Sequence, residues 1–194
     1  MAISLISNPP YNLKWKAPQL AGFLPQYAGY EIPPDSNANM AFILSALNWI
    51  EDRAVILLPN SVLASNQKQE QSIRRQLISQ NLLLAVISLP GDMFESTSIP
   101  TCLLVFDKHK ETRRIAMIDL TDKCDEEVRN QRGQFGGASH EGRTYHKTVK
   151  VISDSIISKC TELINNGKDE EGFCRWVSPE EIPDWNLTPK RYFE

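Results

Sequence analysis

The chain has 194 residues, of which 41% are hydrophobic and 23% charged, and its formal net charge is −3. This is the composition of a globular protein rather than of a disordered or collagen-like one. No apolar run approaches the roughly 20 residues that a membrane span needs, and the small acidic excess is not typical of a protein that binds nucleic acid by itself. With no signal peptide and no Cys-X-X-Cys pair among its four cysteines, we expect a reduced, cytoplasmic protein that is not bound to a membrane and has no metal site.

The predicted elements alternate between strand and helix. A short apolar strand at residues 2–6 ends in a proline-containing turn, because proline removes backbone donors. Residues 12–37 carry no sustained period and predict a long functional loop. The spacing of apolar side chains then predicts helices at residues 39–50, 69–80 and 152–164. Apolar runs predict further strands at residues 54–58, 82–89, 101–106 and 114–120.

This order predicts an α/β fold. The last strands have no helix between them, so we expect them to pair antiparallel at one edge of the sheet. In the helix at 69–80, Arg74 and Arg75 are expected on the exposed face. Residues 121–150 are polar and contain glycines, which predicts a mobile surface loop, and residues 151–194 are expected to form a helix and an extended tail that pack on the same domain.

The motif with the clearest chemistry is Asn8-Pro9-Pro10-Tyr11, at the carboxyl end of the first predicted strand. Ligands of α/β sheets bind at this end of the strands. The Asn8 amide oxygen and the Pro9 carbonyl can accept hydrogen bonds from an exocyclic amine and so turn its lone pair towards an electrophilic methyl group. Tyr11 offers a ring on which a planar base can stack. The alternative is a turn that merely ends the strand.

The tetrapeptide resembles the catalytic motif of amino-methylating methyltransferases. Longer stretches resemble the N6-adenine DNA methylase subunit of type I restriction-modification systems, in the same order and at similar spacing. They lie at residues 37–42, 53–63, 73–77, 84–94, 98–106 and 185–192.

The resemblance implies the C-terminal part of a Rossmann-like sheet of an S-adenosylmethionine-dependent methyltransferase, with an antiparallel edge. Residues 1–120 would then be a partial catalytic domain. Asn8, Pro9, Pro10 and Tyr11 would hold the amine of a flipped adenine, and Phe94 would pack on the base from the other side.

Two of the implied roles have simpler alternatives. Phe94 is equally well explained as a loop aromatic that covers the edge of the sheet. Lys14 and Lys16, in the loop at 12–37, would contact DNA phosphates, or they are two solvated lysines.

The chain departs from the family pattern in one respect. The glycine-rich turn and the acidic residue that hold the cofactor have no counterpart in the sequence, so no cofactor-binding residue is identified. We therefore expect an adenine-specific DNA methyltransferase subunit that is inactive without a missing N-terminal half, and whose partners are DNA and the specificity and restriction subunits.

Two other hypotheses about function are consistent with the sequence. The chain could be a non-catalytic remnant or interaction module of a restriction-modification system, and a protein-glutamine methyltransferase fragment ranks below both. Because the first strand would have an exposed edge, a homo-oligomer formed through that strand is also expected.

Overall fold

The computed structural model describes residues 3–94, 97–132 and 144–193, with side chains for all of them except 130–132 and 144–145. The strands are β1 (Leu5–Ser7), β2 (Arg53–Pro59), β3 (Leu83–Ser88), β4 (Thr101–Asp107), β5 (Ile115–Asp119), β6 (Asp125–Arg132), β7 (Thr144–Val151) and β8 (Cys174–Val177). The helices are α1 (Asn39–Trp49), α2 (Ser61–Ala64), α3 (Lys68–Ser79) and α4 (Asp154–Asn166). Short 3-10 helices occur in the loop at 12–37 and in the C-terminal tail.

Six strands form one sheet in the order β1-β2-β4-β3-β5-β8. β1, β2, β3 and β5 run in one direction, and β4 and β8 run in the other. The predicted α/β class is confirmed. Every residue of β3 is buried, as a strand covered by packing on both faces should be.

The expected pairing of the last strands is wrong in detail. β4 is not at an edge but lies between β2 and β3, antiparallel to both, and β5 is parallel to β3. The antiparallel edge is formed instead by β8, a strand that the sequence did not indicate. β4 can occupy the interior because all of its side chains are buried or half-buried.

Apolar side chains cover the sheet on two faces. One cluster joins the sheet to α1 and α3, and includes Ile43, Ile56, Ile73 and Phe106, all fully buried. The other joins the sheet to α4 through Cys160 and Leu163. Parts of the loop at 12–37 and of the C-terminal tail pack against the first cluster, which fixes both segments to the α1 and α3 side.

Arg74 does not lie on the exposed face of α3 as expected. Its side chain is 2% exposed, and its guanidinium donates hydrogen bonds to the backbone carbonyls of Val62, Ser65 and Trp185. Arg75 is exposed, as predicted. The prediction failed because the partners of Arg74 are backbone carbonyls, which no residue pattern reveals.

The prediction of a mobile loop at 121–150 also needs correction. β6 and β7 form a two-stranded antiparallel sheet, from the pair Asp125 and Val151 to the pair Arg132 and Thr144. Backbone pairing of a two-stranded ribbon does not require apolar alternation, so a polar sequence concealed it. The glycines predicted to loosen this segment, at positions 133, 136, 137 and 142, lie outside the described residues.

Within the described parts of the chain, no helix has the length and apolarity to cross a membrane.

Candidate functional site

The candidate site lies at one end of the sheet. Because β1, β2, β3 and β5 are parallel, their carboxyl ends meet at a single edge. The turn that carries Asn8 follows β1 there, and the loop that carries Phe94 lies between β3 and β4. Ligands of α/β sheets bind at such an edge, in the crevice beyond the strands.

The turn and the loop enclose a cleft of about 240 Å³. Its lining residues are Asn8, Pro9, Pro10, Tyr11, Phe94 and Thr97. The structure therefore brings together all the residues that were predicted to surround a target base. The sixth, Thr97, was not predicted, because only the fold of the loop places it beside Phe94, with which it forms an isolated β-bridge.

Within the cleft, the phenol of Tyr11 donates a hydrogen bond to Asn8 Oδ1 across 2.9 Å. Burial raises the pKa of Tyr11 above its ordinary value, and the nearby Cys102 thiol raises it further. The phenol is thus protonated at neutral pH and is available as a donor. This bond fixes the direction of the Asn8 amide.

Two asparagines, Asn12 and Asn39, hold the turn in place by hydrogen bonds. Asn12 follows Tyr11 in the left-handed conformation, with φ of 52°. Its backbone N–H donates to Asn39 Oδ1 across 3.1 Å, and Asn39 Nδ2 donates to Asn12 Oδ1 across 3.0 Å. Asn39, at the start of α1, is 1% exposed, so this reciprocal amide pair ties the Asn8–Tyr11 turn to a buried helix.

The loop that carries Phe94 has a glycine, Gly91, where its backbone passes close to the carbonyl of Ser98. A Cβ atom at Gly91 would lie 2.8 Å from the carbonyl oxygen of Ser98, which is closer than such atoms pack. Gly91 therefore allows the two limbs of the loop to approach each other. The side chains of Phe94 and Thr97 reach the cleft from the far end of this narrow loop.

The two lysines predicted to contact DNA are exposed but do not line the cleft. Lys14 and Lys16 flank Trp15, which is half-buried and donates from Nε1 to the carbonyl of Pro34 across 2.8 Å. Trp15 also meets Tyr27, with 6.3 Å between the ring centroids. The segment that presents the lysines is thus anchored, and their predicted role stays a prediction.

The cleft suits a planar, uncharged group. No charged side chain lines it, while an amide, a phenol, a hydroxyl and aromatic rings do. These residues do not fit S-adenosylmethionine, because the cleft offers no carboxylate for ribose hydroxyls and no counter-charge for the methionine part. No cluster of metal-ligating side chains occurs among residues 3–94, 97–132 and 144–193.

A mixed sheet with packing on both faces and a cleft beyond the carboxyl ends of its parallel strands is the architecture of the α/β class, whose members bind ligands at that edge. The family model described as N-6 DNA Methylase matches residues 2–194. The chain belongs to the N-6 DNA methylase family.

Individual relatives agree with this assignment. The chain is 30% identical over 196 residues to the type I restriction enzyme MpnII methylase subunit of Mycoplasma pneumoniae, covering 97% of this chain and 32% of that protein. It is 26% identical over 200 residues to the HindI methylase subunit of Haemophilus influenzae, covering 97% of this chain and 41% of that protein. The chain thus spans about a third to two-fifths of the length of these curated relatives.

A solved structure shows the same fold. The methyltransferase subunit of a type I restriction-modification system from Streptococcus thermophilus superposes with a TM-score of 0.80 at 27% identity, covering 97% of this chain and 37% of that one.

Proposed function

We propose that this chain supplies the base-binding part of the active site in an N6-adenine DNA methylase of a type I restriction-modification system. The observation that supports this most directly is the cleft, in which the Asn8–Tyr11 turn faces Phe94 and Thr97. An adenine turned out of the duplex would enter between the aromatic rings of Tyr11 and Phe94, because flipped bases are held by stacking and by hydrogen bonds to their polar edge.

Asn8 would hold the amine of that adenine. An amide oxygen has two lone pairs, and the Tyr11 phenol uses one of them. The other remains for an N–H of the base, and the Pro9 carbonyl would accept the second N–H. Holding both hydrogens directs the nitrogen lone pair towards an electrophilic methyl group.

The methyl donor of the complete enzyme would be S-adenosylmethionine. The described cleft does not supply a site for it, so we propose that a further polypeptide segment binds the cofactor and that the chain alone is inactive. Lys14 and Lys16 would add phosphate contacts. The complete enzyme would work with a specificity subunit, which selects the DNA sequence, and with a restriction subunit.

The decisive experiment supplies the chain with the N-terminal part of a related methylase subunit and measures methyl transfer to DNA. We expect activity only in the mixture, and a loss of at least about a hundredfold for Asn8→Ala. The matched control is Asn48→Ala, at an exposed position of α1. Equal rates for Asn8→Ala and the unchanged chain would contradict the role of Asn8.

The same mixture tests the alternative of a non-catalytic module. If the mixture forms a complex but transfers no methyl group, the alternative is favoured over the methylase. Calorimetric titration of the chain alone with S-adenosylmethionine should give no binding at concentrations on the order of 1 mM. Clear affinity there would contradict the proposal that another segment holds the cofactor.

The open edge of β1 supports a proposal about assembly. β1 pairs with β2 on one side, and no strand in the described part of the chain pairs with it on the other. Ile6, on this strand, is 88% exposed. An unpaired edge is a template for pairing with another chain, so we propose that the isolated chain forms homo-oligomers through β1.

Sedimentation velocity tests this assembly. Ile6→Lys should give monomers, because a charge on an edge strand opposes pairing. The control Ile157→Lys, at a 51% exposed position of α4, should not. A monomeric unchanged chain at high concentration would contradict the proposal.

A further inference from the structure

The hairpin of β6 and β7 is attached to the loop that carries Phe94. Val149 of β7 is fully buried. The backbone N–H of Lys150 donates to the carbonyl of Asp92 across 3.0 Å, and Lys147 Nζ donates to the carbonyl of Phe94 across 3.1 Å. The hairpin therefore places a lysine ammonium on the backbone of a residue that lines the cleft.

Charge is distributed unevenly along this hairpin. The acidic residues Asp125, Glu126 and Glu127 lie together at the start of β6. Farther along the strand, Arg129 lies directly opposite Lys147. Two cations at such a cross-strand position repel each other. In the described part of the hairpin, the start of β6 is thus acidic, whereas the region beside the Phe94 loop is basic.

Arg129 has an anionic partner on its own strand. The guanidinium of Arg129 donates to Glu127 Oε2 from Nε across 3.3 Å and from Nη2 across 3.1 Å. The two side chains remain 42% and 53% exposed. An ion pair exposed to this extent contributes little to stability, so an incoming anion can displace Glu127 at small cost.

The cleft would have to have cations nearby in order to bind a nucleotide. Its lining residues are uncharged, yet a flipped nucleotide carries its two flanking phosphates with it. Arg and Lys are the side chains that bind DNA phosphates, and these contacts set the position of the protein on the duplex. A two-stranded ribbon is also narrow enough to lie against a DNA groove.

We propose that Arg129 and Lys147 form a phosphate-binding site that holds the DNA backbone next to the flipped base. Arg129 exchanges Glu127 for the phosphate, and Lys147 links the phosphate to the Phe94 loop. The proposal rests on the proposed function, since it assumes that the cleft receives a base. It adds an element, the β6–β7 hairpin, which is linked to the cleft through the Phe94 loop.

The test measures binding of a fluorescein-labelled DNA duplex of about 20 base pairs by fluorescence anisotropy over a range of salt concentrations. Arg129→Gln should weaken binding about tenfold and lower the salt slope by about 1. Glu127→Gln should strengthen binding a few-fold, because it releases Arg129. The matched controls are Arg113→Gln and Glu111→Gln, exposed at the opposite end of the sheet, and they should change affinity less than about twofold.

The two hairpin variants should change DNA affinity in opposite directions, and this distinguishes a phosphate-binding role from a purely structural one. If the Arg129–Glu127 pair only stabilised the hairpin, both hairpin variants would weaken binding, and that result would overturn the proposal. Effects no larger than those of the controls, or no duplex binding by the unchanged chain, would overturn it as well.

A second measurement needs no variant. Acylation of lysines, read by mass spectrometry, should be suppressed by the duplex at Lys147 but not at Lys108, and equal suppression at both would contradict the site. Neither measurement involves methyl transfer. A failure of the hairpin site is therefore distinguishable from a failure of the methylase function.

Discussion

Tyr11 and Asn8 form one hydrogen-bonded unit, in which the phenol donates to the amide oxygen across 2.9 Å. The residues are separated by two prolines, whose fixed φ angles hold the turn between them. The bond occupies one acceptor position of Asn8 and orients the other. Tyr11 thus has two roles in the proposed site, one for its ring and one for its hydroxyl, and substitutions can separate them.

Tyr11→Phe should lower methyl transfer by the complemented enzyme about tenfold, because the ring stays while the Asn8 amide loses its orienting donor. Tyr11→Ala should lower it further, since stacking of a base on an aromatic ring contributes about 1–3 kcal/mol. Single-turnover rates measure both losses. Tyr30→Phe is the control, because its hydroxyl bonds to Gln80 outside the cleft. Equal rates for Tyr11→Phe and the unchanged chain would remove the hydroxyl from the mechanism.

Gly91→Ala should displace the Phe94 loop while leaving the sheet intact. The added methyl group would lie 2.8 Å from the carbonyl oxygen of Ser98, and relieving such a contact costs about 1–3 kcal/mol. Urea denaturation measures that cost, and NMR of the Phe94 ring reports the displacement. Gly22→Ala is the matched control, because a Cβ there meets no atom within 4 Å. A Gly91→Ala protein with unchanged stability and an unchanged Phe94 signal would contradict the prediction.

Arg74→Ala should destabilise the fold by about 2–4 kcal/mol. The guanidinium donates to Trp185 across 2.8 Å, to Val62 across 3.2 Å and to Ser65 across 2.6 Å. Burial lowers the pKa of Arg74, and Glu70 partly offsets this. The substitution leaves three carbonyls without this donor and removes one of the hydrogen bonds between α3 and the C-terminal tail. Arg75→Ala, on the exposed face of the same helix, should change the free energy of unfolding by less than about 0.5 kcal/mol.

The free energy of unfolding should rise with pH because of the titration of Lys110. Burial and the nearby charge of Arg113 together lower the pKa of its ammonium to about 8, although Asp107 partly offsets the shift. The folded state then binds the proton more weakly than the unfolded chain, whose lysine pKa is about 10.4. The charged form therefore costs stability below pH 8, and that cost is relieved as the pH rises from about 8 to about 10.4.

Lys110→Met isolates this effect from other titrating groups. The free energy of unfolding of the unchanged chain, minus that of Lys110→Met, should increase across this pH window in urea titrations. A difference that stays flat or falls would show that Lys110 is not held in a charge-disfavouring environment.

The sequence predicted those parts of the fold whose signals are local. The helical spacing of Ile43, Leu44 and Leu47 identified α1, and the uninterrupted apolar run of β3 identified a strand buried on both faces. The apolar spacing at residues 152–164 identified α4, which Gly167 ends in the left-handed conformation. In each case burial of the segment's own side chains determines its structure.

Features that depend on distant partners were not predicted. The carbonyl of Trp185 lies 111 residues from Arg74, and no residue pattern signals such a bond. The same applies to the site. Asn8 and Tyr11 were found because they are neighbours in one motif, whereas Asn39 is 27 residues from its partner Asn12. The sequence offered only the position of Asn39 at the start of a predicted helix.

The interior position of β4 has a consequence for synthesis of the protein. β2 and β3 do not touch along their edges, because β4 lies between them. A nascent chain that has left the ribosome only as far as residue 100 holds both strands but not the one that joins them, so their unpaired backbone edges and apolar faces stay open to aggregation and to chaperones. Emergence of Asp107 from the ribosome is therefore the step that allows the core of the sheet to close.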